Sequence, residues 1–285
     1  MNAPAAAAAP RAKEIRGPSA FGGEWRRFVS LTWMIAATEF RLSYFGSVLG
    51  YLWSLMRPLM LFGVLYVVFS QIIKFGGGIH NYPVLLLMNI VLFTFFIDAT
   101  QASVTSVMTY ENLVRKMQFP RMVIPLSTVL TASFNLAVNL IAVFVFFLAN
   151  GVEPRWTWLL LPVILLPLIA LAAGVAMVLS SLYPRFRDVA PIWSVLSTLL
   201  FYGSPVLYVV DVLHDKTFER LLLCNPIGSL LEQARHWLVD PTARTAVEAI
   251  GGAAWFAIPV ALIVGVFALG LWVFNREAPR IAERL

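Results

Sequence analysis

The sequence predicts an all-α, polytopic membrane protein. It should have six transmembrane helices, an N-terminal cytoplasmic interface helix, and outer re-entrant helices between spans five and six. Three observations predict this. Of the 285 residues, 60% are hydrophobic and only 13% are charged, about half the charged share of a soluble domain. That is too few charges to solvate the exterior of a soluble protein this size. Five stretches, 75–97, 122–152, 156–184, 189–210 and 249–275, contain no Asp, Glu, Lys or Arg, and a bilayer crossing needs about 20 mostly apolar residues. Finally, Lys and Arg are distributed unevenly between the segments that join these stretches.

In chain order, residues 1–23 are rich in Ala, Pro and Gly, a composition that predicts a flexible cytoplasmic tail. No apolar run follows the early cations before Trp25, so a signal peptide is not expected. Residues 24–49 hold the interface helix. Arg26, Arg27 and Arg41 fall within about 100° on a helical wheel, with Trp25, Phe28, Val29 and Ile35 elsewhere. Met34 and Tyr44 interrupt the cationic side. The six spans are expected at about 50–73, 82–109, 122–149, 156–182, 189–210 and 250–274, with a cytoplasmic tail at 276–285. Arg57 breaks the first span about two turns in. A side chain that long can snorkel to the headgroups, which makes Arg57, like Arg41, a candidate membrane-interface anchor. Pro58 marks a bend or a helix start.

The segment 211–250 mixes charges with an apolar run, 221–231, that is too short to cross. Asn225-Pro226 and Gly228 break that run. Two short helices that dip into the outer leaflet or lie on it are expected, because 40 unstructured residues would make an unusually long loop. Fifteen of the 21 Lys and Arg fall in residues 1–57, 110–121, 183–190 and 275–285. The positive-inside rule then places both termini in the cytoplasm.

Catalytic signatures are absent. There is no G-x-x-x-x-G-K-[ST], no H-E-x-x-H and no G-x-S-x-G. Cys224 is the one cysteine, so neither an intramolecular disulfide nor a C-x-x-C motif is possible. His80, His214 and His236 share no metal-ligand spacing. The chain is read as a non-enzyme without a metal, a cofactor of its own or a nucleic-acid partner.

Two polar stripes run within the spans. Thr94, Asp98, Gln101 and Thr105, continued by Thr109, keep within about 80° of one another on the second span. Thr128, Thr131, Asn135 and Asn139 do the same on the third. An ionised Asp at the centre of a lone helix costs about 2.5–3.5 kcal/mol, so Asp98 should face protein or water. The stripes either line a hydrated translocation path or hydrogen-bond helix to helix. Asp98 alone could also relay a proton. Among the aromatics, Phe93, Phe96, Tyr66 and Tyr202 lie deep enough to stack on sugar faces or to pack the core. Trp156, Trp158, Tyr82, Tyr183 and Trp272 suit the membrane edges.

The loop "NLVRKMQFPRMVIP" at 112–125 is too chemically marked to be a plain turn. Pro120 forces Phe119 out of helical geometry. A short helix ending near Gln118 would present Arg115, Lys116, Met117 and Phe119 as an amphipathic knob, with Pro120 and Arg121 at its foot. Such a knob suits a groove on another protein or anchors to headgroups.

Four segments carry a resemblance: "RLSYFGSVLGYLWSLMRPLM" at 41–60, "NLVRKMQFPRMVIPLS" at 112–127, "RFRDVAPIW" at 185–193 with "FYGSPVLY" at 201–208, and "NPIGSLLEQARHWL" at 225–238. In this order, with six spans, they resemble the permease subunit of type-2 ABC exporters, in the branch that exports polysaccharides, O-antigens and teichoic acids. The resemblance implies a homodimer in the bacterial plasma (inner) membrane, and two separate ATP-binding cassette subunits carrying ATP and Mg. A lipid-linked glycan, part of lipopolysaccharide or a teichoic acid, is the implied substrate. It also implies ATPase coupling through Arg115, Lys116, Met117, Phe119, Pro120 and Arg121, with a second cytoplasmic contact at Arg185, Arg187 and Asp188. Arg57 departs from the pattern, where a smaller or neutral polar residue would precede the proline. The alternatives are a drug or small-lipid exporter on the same fold, or an autonomous proton-coupled carrier using Asp98.

Overall fold

The computed structural model describes residues 25–44, 50–72, 79, 81–112, 120–213 and 215–284, and it holds no strand among them. Ten α-helices carry the fold: α1 (Trp25–Tyr44), α2 (Gly50–Tyr66), α3 (Tyr82–Thr109), α4 (Val123–Ala149), α5 (Leu161–Leu182), α6 (Val189–Gly203), α7 (Lys216–Cys224), α8 (Pro226–Ala234), α9 (Ala246–Ile250) and α10 (Ala253–Arg284). A π-helical turn, Val67–Ile72, continues α2, and a 3₁₀ turn, Trp156–Leu160, leads into α5. Among the described residues, five helices are long and apolar enough to cross a bilayer: those over Trp53–Ser70, Tyr82–Thr109, Val123–Ala149, Trp156–Leu182 and Ala253–Ala278. The chain is therefore a multi-pass, all-helical membrane protein. The tail at 1–23 and the knob residues Arg115, Lys116, Met117 and Phe119 lie outside the described residues.

Helix α3 is central because its first half is apolar on nearly every side, the pattern of a helix segment surrounded by others. Every residue from Val84 to Phe93 is buried. It begins at Asn81, held at φ 53° in the left-handed region that Asn tolerates, with Pro83 in the first turn, where the missing N–H costs nothing. Helices α4 and α5 pack on it. Helix α10 pairs closely with α5 across two glycines. A Cβ on Gly270 would lie 2.5 Å from the Gly174 carbonyl oxygen, and one on Gly174 would lie 2.8 Å from the Phe267 backbone. With no hydrophobic force between helices in lipid, such close backbone approach is what holds the pair.

Of the expected fifth span, 189–210, only the first part is helical. Helix α6 stops after 15 residues, a length of about 22 Å against a core of about 30 Å. Ser204 turns extended and Pro205 follows, so the helix cannot continue. Val206, Leu207, Val209 and Val210 fold back into the bundle, each at most 5% exposed. Irregular backbone at this depth needs internal partners, and α3 supplies them. Asn89 donates from Nδ2 to the carbonyls of Pro205 and Val206, at 3.2 and 3.3 Å, and the Tyr82 hydroxyl donates to Leu207 O at 2.8 Å.

Helices α7, α8 and α9, each too short to cross, fill the region between α6 and α10. Asn225 caps α8 by accepting from Ile227 N at 3.1 Å, and Pro226 opens its first turn. Gly228 does not break the run. It lies inside α8, where a Cβ would meet Leu222 O at 2.7 Å and Pro205 Cδ at 3.1 Å. Thr245 and Glu248 form a reciprocal capping box on α9.

A partly buried charge network staples these short helices together. Arg235 Nη1 lies 2.7 Å from Asp211 Oδ2 and 3.0 Å from Glu232 Oε1. Arg244 Nε donates to Asp211 Oδ1 at 2.9 Å, and its Nη2 reaches Glu219. Burial pushes the Glu232 carboxyl up to about 7, against the pull of Arg235. For Asp211, burial is outweighed by the bonds from Arg244 and Arg235, which hold it below the ordinary range.

Two outcomes are expected. Gly270→Ala should force the α5–α10 pair apart and lower the melting temperature in detergent, at a cost of about 1–3 kcal/mol. Gly265→Ala, with nothing within 4 Å of the new Cβ, should leave it nearly unchanged. The second concerns pH. Glu232 binds its proton more tightly folded than unfolded, so the stability it contributes is full below about 4.5 and is lost as pH rises through about 7. A melting series from pH 4.5 to 8 should show the wild type losing stability relative to Glu232→Gln over that window.

Candidate functional site

An open groove of about 290 Å³ lies between α2, α3 and α6. Two turns of α2 bring Arg57 to its edge, and the middle of α3 brings Asp98. Arg57 Nη1 stands 3.2 Å from Asp98 Oδ1, and the side chains are 73% and 44% exposed. Arg57, expected to snorkel, thus also has a carboxylate at hand, and such pairing is how charges in a span are usually accommodated. Asp98 is correspondingly not a lone acid.

Thr94 lines the same groove, and Gln101 and Thr105 lie exposed beyond it on α3. Helix α6 contributes Ser197, Thr198, Phe201 and Tyr202, none of which the sequence pattern had singled out as polar lining. The Ser197 and Thr198 hydroxyls donate to Ser194 O at 2.8 and 3.1 Å, so the wall they present is mostly methyl and methylene. Tyr202 is 64% exposed and stands edge-on to Phe201, whose ring meets Phe93 at 5.2 Å. Of the deep aromatics, Phe93 and Phe96 are buried, and Phe96 packs on Trp193. Tyr66 stacks on Phe62. Tyr202 is thus the ring most open to a passing molecule.

The two polar stripes do not meet on one path. The stripe of the third span lies under α1 and α2 in this structure. Thr128 donates to Ile124 O at 3.1 Å, and Thr131 to Ser127 O at 2.9 Å with Ala36 O of α1 at 3.3 Å. Asn135 accepts from the Tyr44 hydroxyl. Asn139 faces a small gap beside Leu55, Pro58 and Leu59 of α2. Its Oδ1 is buried without a partner among the described residues.

At the other end of the bundle, α1 lies across α4. Phe28 inserts among Val107, Met122, Val123, Phe274 and Ala278, while Arg26, Arg27 and Arg41 stay exposed. The Tyr110 hydroxyl donates to Glu39, and burial keeps that phenol protonated well above its ordinary range. Pro120 and Arg121 are corrected in position. Both are buried rather than presented, because the Arg121 guanidinium turns inward and donates to Ala278 O of α10. A second exposed basic feature at this end, besides the arginines of α1, is the turn between α5 and α6. There Arg185 stacks on Phe186 at 4.9 Å and Arg187 on Tyr183 at 5.7 Å, with Asp188 beside them. Segments 25–44, 120–124, 183–188 and 274–278 thus gather at one end, and α7 to α9 at the other.

No group of three or more His, Cys, Asp or Glu able to hold a metal occurs among the described residues.

Comparison with known proteins places this architecture. The chain is similar to an O-antigen export system permease protein RfbA of Klebsiella pneumoniae, 28% identical over 255 residues, which covers 88% of this chain and 93% of that protein. A second Klebsiella pneumoniae protein of the same name is 26% identical over 253 residues, with the same coverage. The RfbA permease of Myxococcus xanthus is 28% identical over 218 residues, covering 74% of this chain and 83% of that one. Residues 30–239, well over half the sequence, match the ABC-2 type transporter family, and the chain belongs to it.

Proposed function

We propose that this chain is the membrane permease subunit of an ATP-driven exporter that moves a lipid-linked cell-surface polysaccharide, of the O-antigen class, outward across the bacterial inner membrane. The observation that carries the reading is the exposed Arg57–Asp98 pair on the α2–α3–α6 face. Charges at that depth cannot be left against lipid. The face must meet water or another protein, and both are met if two copies pack there around a hydrated path. Apolar side chains beside the pair, among them Met60, Val64, Val195 and Leu199, are 59–64% exposed and suit such a contact. Likeness to O-antigen export permeases over nearly their whole length supports the substrate class.

In this reading α6, with the buried segment after it, acts as a broken fifth span, so the chain crosses six times. The end that holds α1 is cytoplasmic, as its cations favour. The chain lacks a P-loop, so two ATP-binding subunits supply the work. They dock against residues 112–119 and the exposed turn at Arg185, Arg187 and Asp188. ATP-driven closure of those subunits presses on this end and widens the groove. Thr94, Gln101, Thr105 and Tyr202 then offer hydroxyl, amide and ring surface to a sugar chain. A proton-coupled carrier working alone gains nothing here, because Asp98 already faces a cation.

Two experiments test the proposal. Arg115, Lys116 and Phe119 replaced together by Ala should abolish surface polysaccharide and uncouple ATPase stimulation in the co-purified complex, while membrane insertion survives. Normal export by that variant, or transport by the purified chain without an ATP-binding subunit, would refute it. Arg57→Asp and Asp98→Arg should each impair export, and the two together should restore part of it. Surface polysaccharide blots read all three, and equal export by the single variants would remove the pair from the mechanism.

A further inference from the structure

A second cavity, of about 610 Å³, opens between α5, α8, α9 and α10, a different set of helices from the groove. Its wall is apolar, and its volume is in the range of a small-ligand site. Pro167 of α5 and Pro259 of α10 both line it. Prolines inside helices remove a hydrogen bond and bend the axis, which accounts for a wedge between two helices that touch at Gly174 and Gly270. The cavity follows α5 from Val163 to Ala170 and α10 from Phe256 to Val264. At 1.5 Å per residue it is about 10–12 Å deep, close to one leaflet of a core about 30 Å thick. It lies in the half of the bundle that holds the short helices.

Polar groups without partners mark one end. The Trp237 indole N–H and the Gln233 amide nitrogen, both on the wall, take no acceptor among the described residues, though Gln233 Oε1 accepts from Ala246 N at 3.1 Å. Beyond them, Arg220 stacks over Trp255 at 5.6 Å and lies against Gly251, in the turn that joins Val247 and Phe256 of the wall. Its guanidinium makes no carboxylate pair among the described residues. Its neighbour Glu219 is held by Arg244.

We propose that this cleft holds a resident phosphate-bearing membrane lipid. One acyl chain lies along α5 and α10, its ester carbonyls accept from Trp237 and Gln233, and its phosphate meets Arg220. An aliphatic chain suits the apolar depth, and an anion suits an arginine that is stacked, half-buried and unpaired. The site is independent of the groove and of what is transported.

The test uses the full chain in nanodiscs with acyl-diazirine phosphatidylglycerol or phosphatidylcholine, followed by peptide mapping. Label is expected on 163–170, 230–237 and 256–264. Phosphatidylglycerol should be preferred about five-fold, the value of one interfacial cation. Arg220→Gln should abolish the preference while leaving the label in place. Val260→Trp, at a position 45% exposed, should block the cleft and remove most label from all three stretches without changing the size-exclusion profile. Competition by millimolar inorganic phosphate should be no greater than by an equal ionic strength of chloride, because the acyl chain supplies most of the binding. Label spread evenly over the lipid-facing helices, or a preference unchanged in Arg220→Gln, would overturn the proposal. So would displacement by phosphate alone, or disulfide capture of a second copy through Val260→Cys.

Discussion

Two opposite charges within the membrane depth, Arg57 and Asp98, constrain what one whole face of this bundle can touch. In water such a pair at 3.2 Å would be worth little. Within a bilayer each charge alone would be costly, and the pair remains polar even when neutral overall. The α2–α3–α6 face therefore cannot be an ordinary lipid-facing surface, although most of the residues around the pair are apolar. That mixture, two charges and a tyrosine set in an exposed apolar wall, suits a face that meets water along one line and protein beside it. The lipid-facing surface of α5 and α10 has the opposite character, with cations only at its rim.

The remainder of the fold makes this possible by concentrating rigidity elsewhere. Helix α3 is enclosed by α4 and α5, and α10 is locked to α5 through Gly174 and Gly270. The extended chain after α6 is pinned by Tyr82 and Asn89 of the same α3. Helix α2 buries little by comparison, with Pro58 its one buried residue in the described part. Arg57 is therefore carried by the least embedded long helix and Asp98 by the most embedded one. Their contact crosses the boundary between a fixed block and a lightly held edge, which is where a bundle yields first when pushed.

Much of the fold was legible in the sequence, for reasons particular to membranes. Length and hydropathy identify long helices because lipid allows no other lone spanning element, and the Lys and Arg pattern grouped the segments that the structure gathers at one end. The end of helix α6 was not legible because the run 189–210 is uncharged throughout. Composition cannot distinguish a helix from an extended segment buried in protein, and the signal that could have done so was Ser204-Pro205. The site was only half legible. Helical spacing joined Thr94, Asp98, Gln101 and Thr105 into one stripe, and Thr128, Thr131, Asn135 and Asn139 into another. Spacing does not say what stands opposite, so the second stripe, packed against α1 and α2, was indistinguishable from the first. The Arg57–Asp98 contact spans 41 positions between two helices, and no local pattern encodes it. Arg121 looked exposed because it follows two cations, yet it is buried by Ala278, 157 residues away.

That last contact bears on how a push at the α1 end could reach the groove. Beyond the coupling segment, Pro120 is buried and Arg121 is bonded to α10. Before the segment, α3 leads into it through Tyr110, which is tied to α1 by Glu39. A force on the segment cannot move α4 relative to α10 without breaking the Arg121 bond, nor tilt α3 alone within its packing. In the proposed reading it is delivered to the block as a whole, together with α1, whose Tyr44 hydroxyl donates to Asn135. The least embedded neighbours, α2 and α6, are left behind. On the same reading, displacement between block and edge parts Arg57 from Asp98, an exposed contact, whereas the Trp193–Thr100 hydrogen bond from α6 to α3 is buried. Water can solvate both charges once they part, so in the proposed reading the step that opens the groove also removes most of the electrostatic cost of opening it.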